Sequence, residues 1–206
     1  MSENDTLSID SFEQLEADIT GCRSCSRLVE WRELVAEEKR AAYRNEDYWG
    51  KPVPGFGDPS ARIVFLGLAP AAHGANRTGR VFTGDRSGDW LFRALYRAGL
   101  ANQPESLSID DGLELRDAWV LAAVRCAPPA NKPTTQERDT CEPFLDREFA
   151  LLTNCAVVVS LGAFGYQAAC RHFNITPRPA FGHGVVVDRK STRLNSSHRC
   201  ISYAVF

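Results

Sequence analysis

The stretch ARIVFLGLA, residues 61 to 69, is a nearly continuous apolar run that leads into a polar, glycine-rich segment. Such a run is typical of a strand buried on both faces of a parallel sheet. Two more runs follow, DAWVLAAV (117–124) and CAVVVSLG (155–162), and VVVD (185–188) begins a fourth strand. Helical patterns separate them. This alternation predicts an α/β fold, with a central parallel sheet flanked by helices on both faces in three layers.

The helices are predicted from apolar spacing and from capping signals. Ser87 is predicted as the N-cap of a helix over residues 89–99. Thr134 and Glu137 have the spacing of a capping box, which predicts a helix from there to about residue 152. Further helical patterns cover residues 11–19, 26–44 and 163–173.

Length and composition predict the class of protein. The chain has 206 residues, of which 44% are hydrophobic and 24% charged, as expected for one soluble domain. It contains no apolar run long enough for a membrane-spanning helix. The N-terminus MSENDTLSID is acidic and polar, unlike a secretory signal, so we expect a cytoplasmic protein. The formal net charge of −2 leaves any contact with nucleic acid to a local basic patch.

Most of the unusual polar residues follow the ends of predicted strands. The first strand leads into GLAPAAHGANRTGRVFTGD (67–85) and the second into RCAPPANKP (125–133). The third ends in SLGAFG (160–165), whereas FGHG (181–184) precedes the fourth strand. Ligands of doubly wound folds bind at the carboxyl ends of the parallel strands. We therefore predict the functional site at this edge of the sheet.

Four of the seven cysteines form two local pairs, Cys22 with Cys25 and Cys126 with Cys141. Four thiolates can bind either a [4Fe–4S] cluster or Zn²⁺ in a tetrahedral site, and the spacing does not choose between them. The alternative is a set of buried free cysteines with an incidental CxxC. Cys155 and Cys170 have apolar neighbours and are predicted to pack in the core.

Taken together, the motifs at residues 67–85, 125–133, 160–165 and 181–184 closely resemble the family 5 uracil-DNA glycosylases, called UDGb. The resemblance covers roughly residues 20 to 188. The neighbouring type 4 enzymes usually carry an acid where this chain has Leu68. The resemblance implies a [4Fe–4S] cluster held by the four paired cysteines, Cys22, Cys25, Cys126 and Cys141. It also implies a monomeric repair enzyme that acts on DNA containing uracil or other deaminated bases.

The C-terminal segment departs from the family. Family members continue past FGHG into an HPS-type motif whose histidine binds uracil, whereas this chain ends in RKSTRLNSSHRCISYAVF (189–206). We interpret that segment as a non-native tail, so the glycosylase domain, residues 1–188, is expected to be truncated. The alternative function is therefore a catalytically impaired, DNA-binding iron–sulfur module. A zinc-stapled α/β protein of unrelated function is a third, weaker possibility.

The resemblance also implies roles for two catalytic residues. Hydrolysis of the N-glycosidic bond in base excision repair produces an oxocarbenium-like sugar and a uracil anion, so it needs a carboxylate and a positioned water. Asp85 matches the family acid, although capping of a helix is an alternative role for it. Asn131 can donate to and accept from the Watson–Crick edge of uracil, although it could equally cap a nearby helix.

The remaining implied residues bind the base or the DNA backbone. Phe82 would stack on the extruded base, with packing onto the core as the alternative. The other residues implied at the base are Ala71, Ala72, His73, Gly74 and His183, although a local hydrogen bond is the alternative role for the two histidines. Three arginines, Arg77, Arg80 and Arg86, would contact phosphates, whereas a solvated face is the alternative. The pocket motifs contain no lysine apart from the nearby Lys132, so the enzyme is expected to be monofunctional.

Overall fold

A computed structural model describes residues 10–189 and 198–203 of the chain. These residues form six α-helices and six strands. The helices are α1 (Phe12–Gly21), α2 (Ser26–Glu38), α3 (Ala75–Thr78), α4 (Arg86–Arg97), α5 (Thr135–Leu151) and α6 (Ala163–His172). The strands are β1 (Phe56–Gly57), β2 (Ile63–Gly67), β3 (Ala118–Ala122), β4 (Val157–Leu161), β5 (Val185–Arg189) and β6 (His198–Tyr203). Short 3₁₀ helices cover Ala41–Tyr43 and Pro129–Asn131.

All six strands form one sheet, in the order β1-β3-β2-β4-β6-β5. The four inner strands are parallel, with Leu66 beside Leu121 on one side and Ser160 on the other. The two edge strands are antiparallel to their neighbours, so the predicted parallel sheet is mixed at its edges. Because β5 is antiparallel, its first residue, Val185, lies beside Ser202, near the carboxyl ends of the inner strands.

The position of β6 differs from the sequence-based expectation. The segment 189–206 was excluded from the fold, but residues 198–203 pair in parallel with β4 and antiparallel with β5. Residues 190–197 and 204–206 of that segment lie outside the described residues. The non-native origin of the segment stays a prediction.

Alternate residues of the inner strands face two different apolar layers, as expected for a sheet covered on both faces. Trp119 and Leu121 of β3 pack in the layer that contains Leu145 of α5 and Tyr166 of α6. The intervening residues of β3 pack in the layer that contains Phe92 of α4. The three-layer architecture predicted from the sequence is therefore confirmed.

The structure also tests the predicted helix caps and the predicted burial of two cysteines. Thr134 and Glu137 form the expected capping box at the start of α5. The N-cap of α4 is Asp85 rather than Ser87, so that helix begins three residues earlier than predicted. Cys155 and Cys170 are buried in the core, as expected. No helix within the described ranges is long and apolar enough to cross a membrane.

Candidate active site

Asp85 ends the loop that connects β2 to α4, residues 68–85, which we call the edge loop. Its Oδ1 accepts hydrogen bonds from the backbone N–H groups of Ser87 at 2.9 Å and Gly88 at 3.0 Å. The capping role raised as an alternative is therefore present. Oδ2 takes part in none of the hydrogen bonds described, so one carboxylate oxygen remains for other chemistry.

Gly74 lies directly beside that second oxygen. A Cβ placed on Gly74 would lie 2.4 Å from Oδ2 of Asp85, so only glycine leaves room for the carboxylate. Burial raises the pKa of Asp85 above its usual value, and the nearby charge of Asp89 acts in the same direction. The two backbone N–H donors and Arg77 oppose this shift. Ionised Asp85 is thus a poorly solvated carboxylate, which is a suitable environment for a reactive base.

Phe82 lies at the carboxyl end of β2 in a left-handed backbone conformation, with φ of 55°. Its ring packs directly on Gly67, where a Cβ would lie 2.5 Å from Cζ. The ring also contacts the apolar layer on the α4 face, so the packing role raised as an alternative is present. Residues other than glycine rarely adopt this backbone conformation, because it costs about 1–3 kcal/mol. Such residues are frequent at functional sites. The half-buried ring remains at the edge where a base would bind.

Arg80 does not lie where a phosphate could reach it. Its side chain is 3% exposed and donates to Ser106 Oγ at 2.7 Å and to Asp111 Oδ2 at 2.7 Å. Its Nε also donates to Thr83 Oγ1 at 3.1 Å. These contacts fix the edge loop to the segment that precedes β3. The predicted phosphate contact of Arg80 is therefore corrected to a structural role.

Arg77 also stabilises the edge loop from within. It donates to the carbonyl oxygens of His73 at 2.9 Å and Gly84 at 3.2 Å, and it forms an ion pair with Glu46. Its guanidinium lies 4.0 Å from the centre of the Tyr43 ring, and only 10% of its side chain is exposed. These contacts do not favour the predicted phosphate role. Arg86 is exposed, as a phosphate contact requires.

Asn131 follows β3 and ends the 3₁₀ helix there. Both Ala130 and Asn131 have left-handed φ angles, 53° and 54°. Thr134 caps α5, so the alternative capping role of Asn131 is absent, and its exposed amide makes no hydrogen bond among those described. No contact between Asn131 and Asp85 is described either. Asn131 lies at the correct edge of the sheet, without a direct link to the carboxylate.

His183 lies in the turn before β5 and is exposed. Its ring centre is 6.2 Å from that of Phe181. Because β5 is antiparallel, this turn lies at the carboxyl edge of the inner strands. Ala71 and Ala72 are half-buried in the edge loop, and the carbonyl oxygen of Ala71 accepts from the N–H groups of Gly74 and Asn76.

His73 has a partner that the sequence analysis missed. Its Nδ1 lies 3.1 Å from Oη of Tyr48, 25 residues earlier in the chain. Burial lowers the pKa of His73, and the nearby charges of Arg40 and Arg77 lower it further. No local pattern around Tyr48 indicates this contact, because it depends on tertiary packing.

The four paired cysteines lie near one another, in what we call the cysteine region. Cys22 ends α1, Cys25 precedes α2, and Cys126 and Cys141 pack in one small apolar cluster that Cys25 also touches. Burial raises the pKa of Cys126 and Cys141, and the neighbouring cysteines add to this as thiolates: Cys141 and Cys22 act on Cys126, and Cys25 and Cys22 act on Cys141. Within residues 10–189 and 198–203, no group of three or more His, Cys, Asp or Glu side chains has the geometry of a metal site.

Arg32 adds a buried positive charge to the cysteine region. It is 2% exposed, and its Nη1 donates to Sγ of Cys126 at 2.9 Å. Its Nε has no hydrogen-bond partner in the described structure. Burial raises the pKa of the Cys126 thiol to about 12, although Arg32 opposes this shift. Arg32 was also absent from the predicted set of functional residues.

A cavity of about 620 Å³ lies beside Arg32 of the cysteine region and Tyr48, the partner of His73. It is lined by α1, α2 and residues 48–51. Its lining includes Arg32 and Tyr48 but not Asp85, Phe82 or Asn131. None of the predicted base-binding residues lines this cavity.

Comparison with known proteins assigns the chain to a family. A model of the uracil DNA glycosylase superfamily matches residues 54–200, most of the chain and part of the segment 189–206. A type-5 uracil-DNA glycosylase of Mycobacterium tuberculosis is 54% identical over 178 residues, which are 85% of this chain and 66% of the relative. This chain thus spans slightly less than two thirds of that protein.

Two further relatives have the same name. The type-5 uracil-DNA glycosylase of Mycobacterium leprae is 51% identical, over 85% of this chain and 78% of the relative. The Thermus thermophilus protein of that name is 52% identical, over 81% of this chain and 75% of the relative. The chain therefore belongs to the type-5 uracil-DNA glycosylases, as the resemblance of its motifs indicated.

Proposed function

We propose that the chain excises uracil, and other deaminated bases, from DNA by hydrolysing the N-glycosidic bond. The observation that carries this proposal is the half-buried carboxylate of Asp85, whose Oδ2 lies against Gly74 at the carboxyl edge of the sheet. The type-5 relatives are named uracil-DNA glycosylases, which supports the same substrate for this chain. We further propose that the enzyme acts as a monomer.

The reaction begins with extrusion of the target nucleotide, because the bond is inaccessible within a duplex. Phe82 stacks on the extruded base, and Asn131 and His183 bind its polar edge. Oδ2 of Asp85 then orients a water molecule for attack at C1′ and stabilises the positive charge that develops on the sugar. The backbone of Ala71, Ala72 and Gly74 approaches the nucleotide closely because these residues have little or no side chain.

Release of the base leaves an abasic site without cleavage of the strand. A lyase would need an amine that forms a Schiff base with the sugar. Within the four sequence motifs the single lysine is the exposed Lys132, which follows Asn131. We therefore propose a monofunctional enzyme.

Arg86 contacts a phosphate beside the target nucleotide.

We propose that Cys22, Cys25, Cys126 and Cys141 hold a [4Fe–4S] cluster. The donor set fits this group, because four thiols from four separate positions lie in one largely buried region beside the guanidinium of Arg32. A cluster with four thiolates carries negative charge, which Arg32 would balance. When bound, the cluster would supply a structural cross-link between the N-terminal helices, the end of β3 and α5. Together, the four cysteines would also position the 125–133 loop, which contains Cys126 and carries Asn131.

The test is a single-turnover assay with the full chain and an oligonucleotide that contains one uracil, with thymine in the same position as control. We expect free uracil and an abasic site that breaks only after treatment with alkali. Absence of uracil release would overturn the proposed function and would support an impaired DNA-binding module. Strand breaks without alkali would contradict a monofunctional enzyme.

A further inference from the structure

Tyr48 is fixed beside His73 by backbone hydrogen bonds on either side of the contact. The N–H of Trp49 donates to the carbonyl of Arg77 at 2.9 Å, and that of Gly50 to the carbonyl of Asn76 at 3.0 Å. Residues 48–50 therefore follow α3 closely. They hold Oη of Tyr48 at 3.1 Å from Nδ1 of His73, with the two rings nearly perpendicular.

The direction of this hydrogen bond follows from the partners of the hydroxyl group. The backbone N–H of Arg40 donates to Oη of Tyr48 at 3.3 Å. Nδ1 of His73 is the one acceptor for the hydroxyl proton among the hydrogen bonds of the described residues. A phenol that accepts from one side and donates to the other leaves Nδ1 without a proton. The ring proton of neutral His73 is then on Nε2.

The surroundings of His73 favour its neutral form. Burial and the nearby charges of Arg40 and Arg77 lower the pKa of His73, and Glu46 forms an ion pair with Arg77. Nε2 takes part in no hydrogen bond among those described. His73 directly precedes Gly74, whose Cα lies against the carboxylate of Asp85. His73, which carries the free N–H, is therefore adjacent in sequence to the glycine that lies against the carboxylate of Asp85.

We propose that Tyr48 is a positioning residue that holds His73 in the Nε2–H tautomer, so that Nε2 donates to an oxygen atom of the target nucleotide. This inference rests on the proposed function for its substrate. The acceptor is a carbonyl oxygen of the extruded base or an oxygen of its phosphate. A donor of fixed direction at either atom stabilises the bound nucleotide more than a ring that exchanges between two tautomers.

The first test is independent of catalysis. Nitrogen-15 NMR of the histidine ring in the full chain distinguishes the two tautomers of His73. We expect the Nε2–H tautomer in the native sequence, a mixture of both in Tyr48→Phe, and no change in Tyr43→Phe, whose ring packs on Arg77 instead. The Nδ1–H tautomer in the native sequence, or an unchanged spectrum in Tyr48→Phe, would overturn the proposal.

The second test uses single-turnover excision. Tyr48→Phe should slow excision about threefold to tenfold, the range for loss of one neutral hydrogen bond. In a His73→Gln background the amide donates without Tyr48, so adding Tyr48→Phe should have no further effect. Equal slowing in both backgrounds would overturn the proposal. If the native chain excises no uracil, the proposed function fails, whereas the NMR result still decides the role of Tyr48.

The nature of the acceptor follows from a modified substrate. A methylphosphonate at the target nucleotide removes the charged phosphate oxygen. If the effect of Tyr48→Phe disappears with this substrate, the acceptor is the phosphate. If the effect persists, the acceptor is the base.

Discussion

The edge loop and the cysteine region both gather polar side chains at the carboxyl edge of the sheet, but they differ in how those groups are satisfied. In the edge loop, residues 68–85, most polar side chains have a protein partner, whereas Oδ2 of Asp85, Nε2 of His73 and the buried Oδ1 of Asn76 have none among the hydrogen bonds of the described residues. In the cysteine region the thiols of Cys126 and Cys141 are buried with raised pKa values, and the neighbouring Arg32 has an Nε without a partner in the described structure.

This difference indicates what each region needs in order to function. The protein alone holds the edge loop together, and it leaves Oδ2 of Asp85 and Nε2 of His73 for a substrate. The cysteine region contains buried polar groups that the protein alone satisfies only in part, which is costly unless another group binds there. The following predictions test this contrast.

The largest effect is expected for Cys126→Ser. If a [4Fe–4S] cluster completes the cysteine region, this change should abolish the visible thiolate-to-iron absorbance. Loss of a structural metal group costs several kcal/mol, so Tm should fall by roughly 10 °C or more. Cys155→Ser is the control, because Cys155 is equally buried but lies in the main core. Equal absorbance in the native protein and in Cys126→Ser would contradict the claim that a bound cluster completes the cysteine region.

Arg80→Ala tests the support of the edge loop. It breaks the buried ion pair with Asp111 and removes a partner of Ser106, so the free energy of unfolding in urea should fall by about 3 kcal/mol. A fall of less than about 1 kcal/mol would show that Arg80 does not fix the loop.

The same ion pair predicts a dependence of stability on pH. Burial alone would raise the pKa of Asp111, but Arg80 and backbone N–H groups hold it below its usual value. The contribution of the pair is therefore present above about pH 4, the ordinary range of an aspartate, and is lost as the pH falls through the lowered pKa. In Arg80→Ala this loss at acidic pH should be smaller.

Gly74→Ala tests the approach of the carboxylate. The added Cβ would overlap Oδ2 of Asp85, so Asp85 must move, and excision should slow about tenfold to a hundredfold. Gly21→Ala is the control, since a Cβ there meets no atom within 4 Å. Equal excision rates of Gly74→Ala and Gly21→Ala would remove this contact from the mechanism.

The smallest effect is expected for Arg86→Ala. As an exposed residue at the start of α4, Arg86 should contribute one phosphate contact, so DNA affinity should fall about threefold to tenfold and depend less on salt. Tm should not change. Arg116→Ala, an exposed arginine just before β3, should leave affinity unchanged. An equal loss in both variants would indicate only a general effect of charge.

Much of the fold was predictable because apolar runs such as residues 117–124 report burial on both faces of a sheet. The direction of β5 was not predictable in this way, because the apolar pattern of VVVD does not indicate whether the strand is parallel or antiparallel to its neighbours. Its antiparallel orientation brings the turn that contains His183 to the site edge. The pairing of β6 likewise depends on partners distant in sequence.

The candidate site shows the same limit at single residues. The motif that contains Asp85, Gly74 and Phe82 was identified from the sequence, and the structure places Gly74 against Asp85 and the ring of Phe82 against Gly67. The sequence did not distinguish Arg80 from Arg86, because burial of Arg80 depends on Asp111, 31 residues away. Tyr48 was missed for the same reason.

The central claim is that Asp85 does more than cap α4, and Asp85→Asn tests it most directly. Asparagine caps helices about as well as aspartate, and the change removes a buried charge, so Tm should stay equal or rise. Single-turnover excision should fall about 10²- to 10⁴-fold. In the native chain the rate should fall as the pH drops through the raised pKa of Asp85, and in the variant this dependence should be absent. Excision by Asp85→Asn within threefold of the native rate would contradict the account.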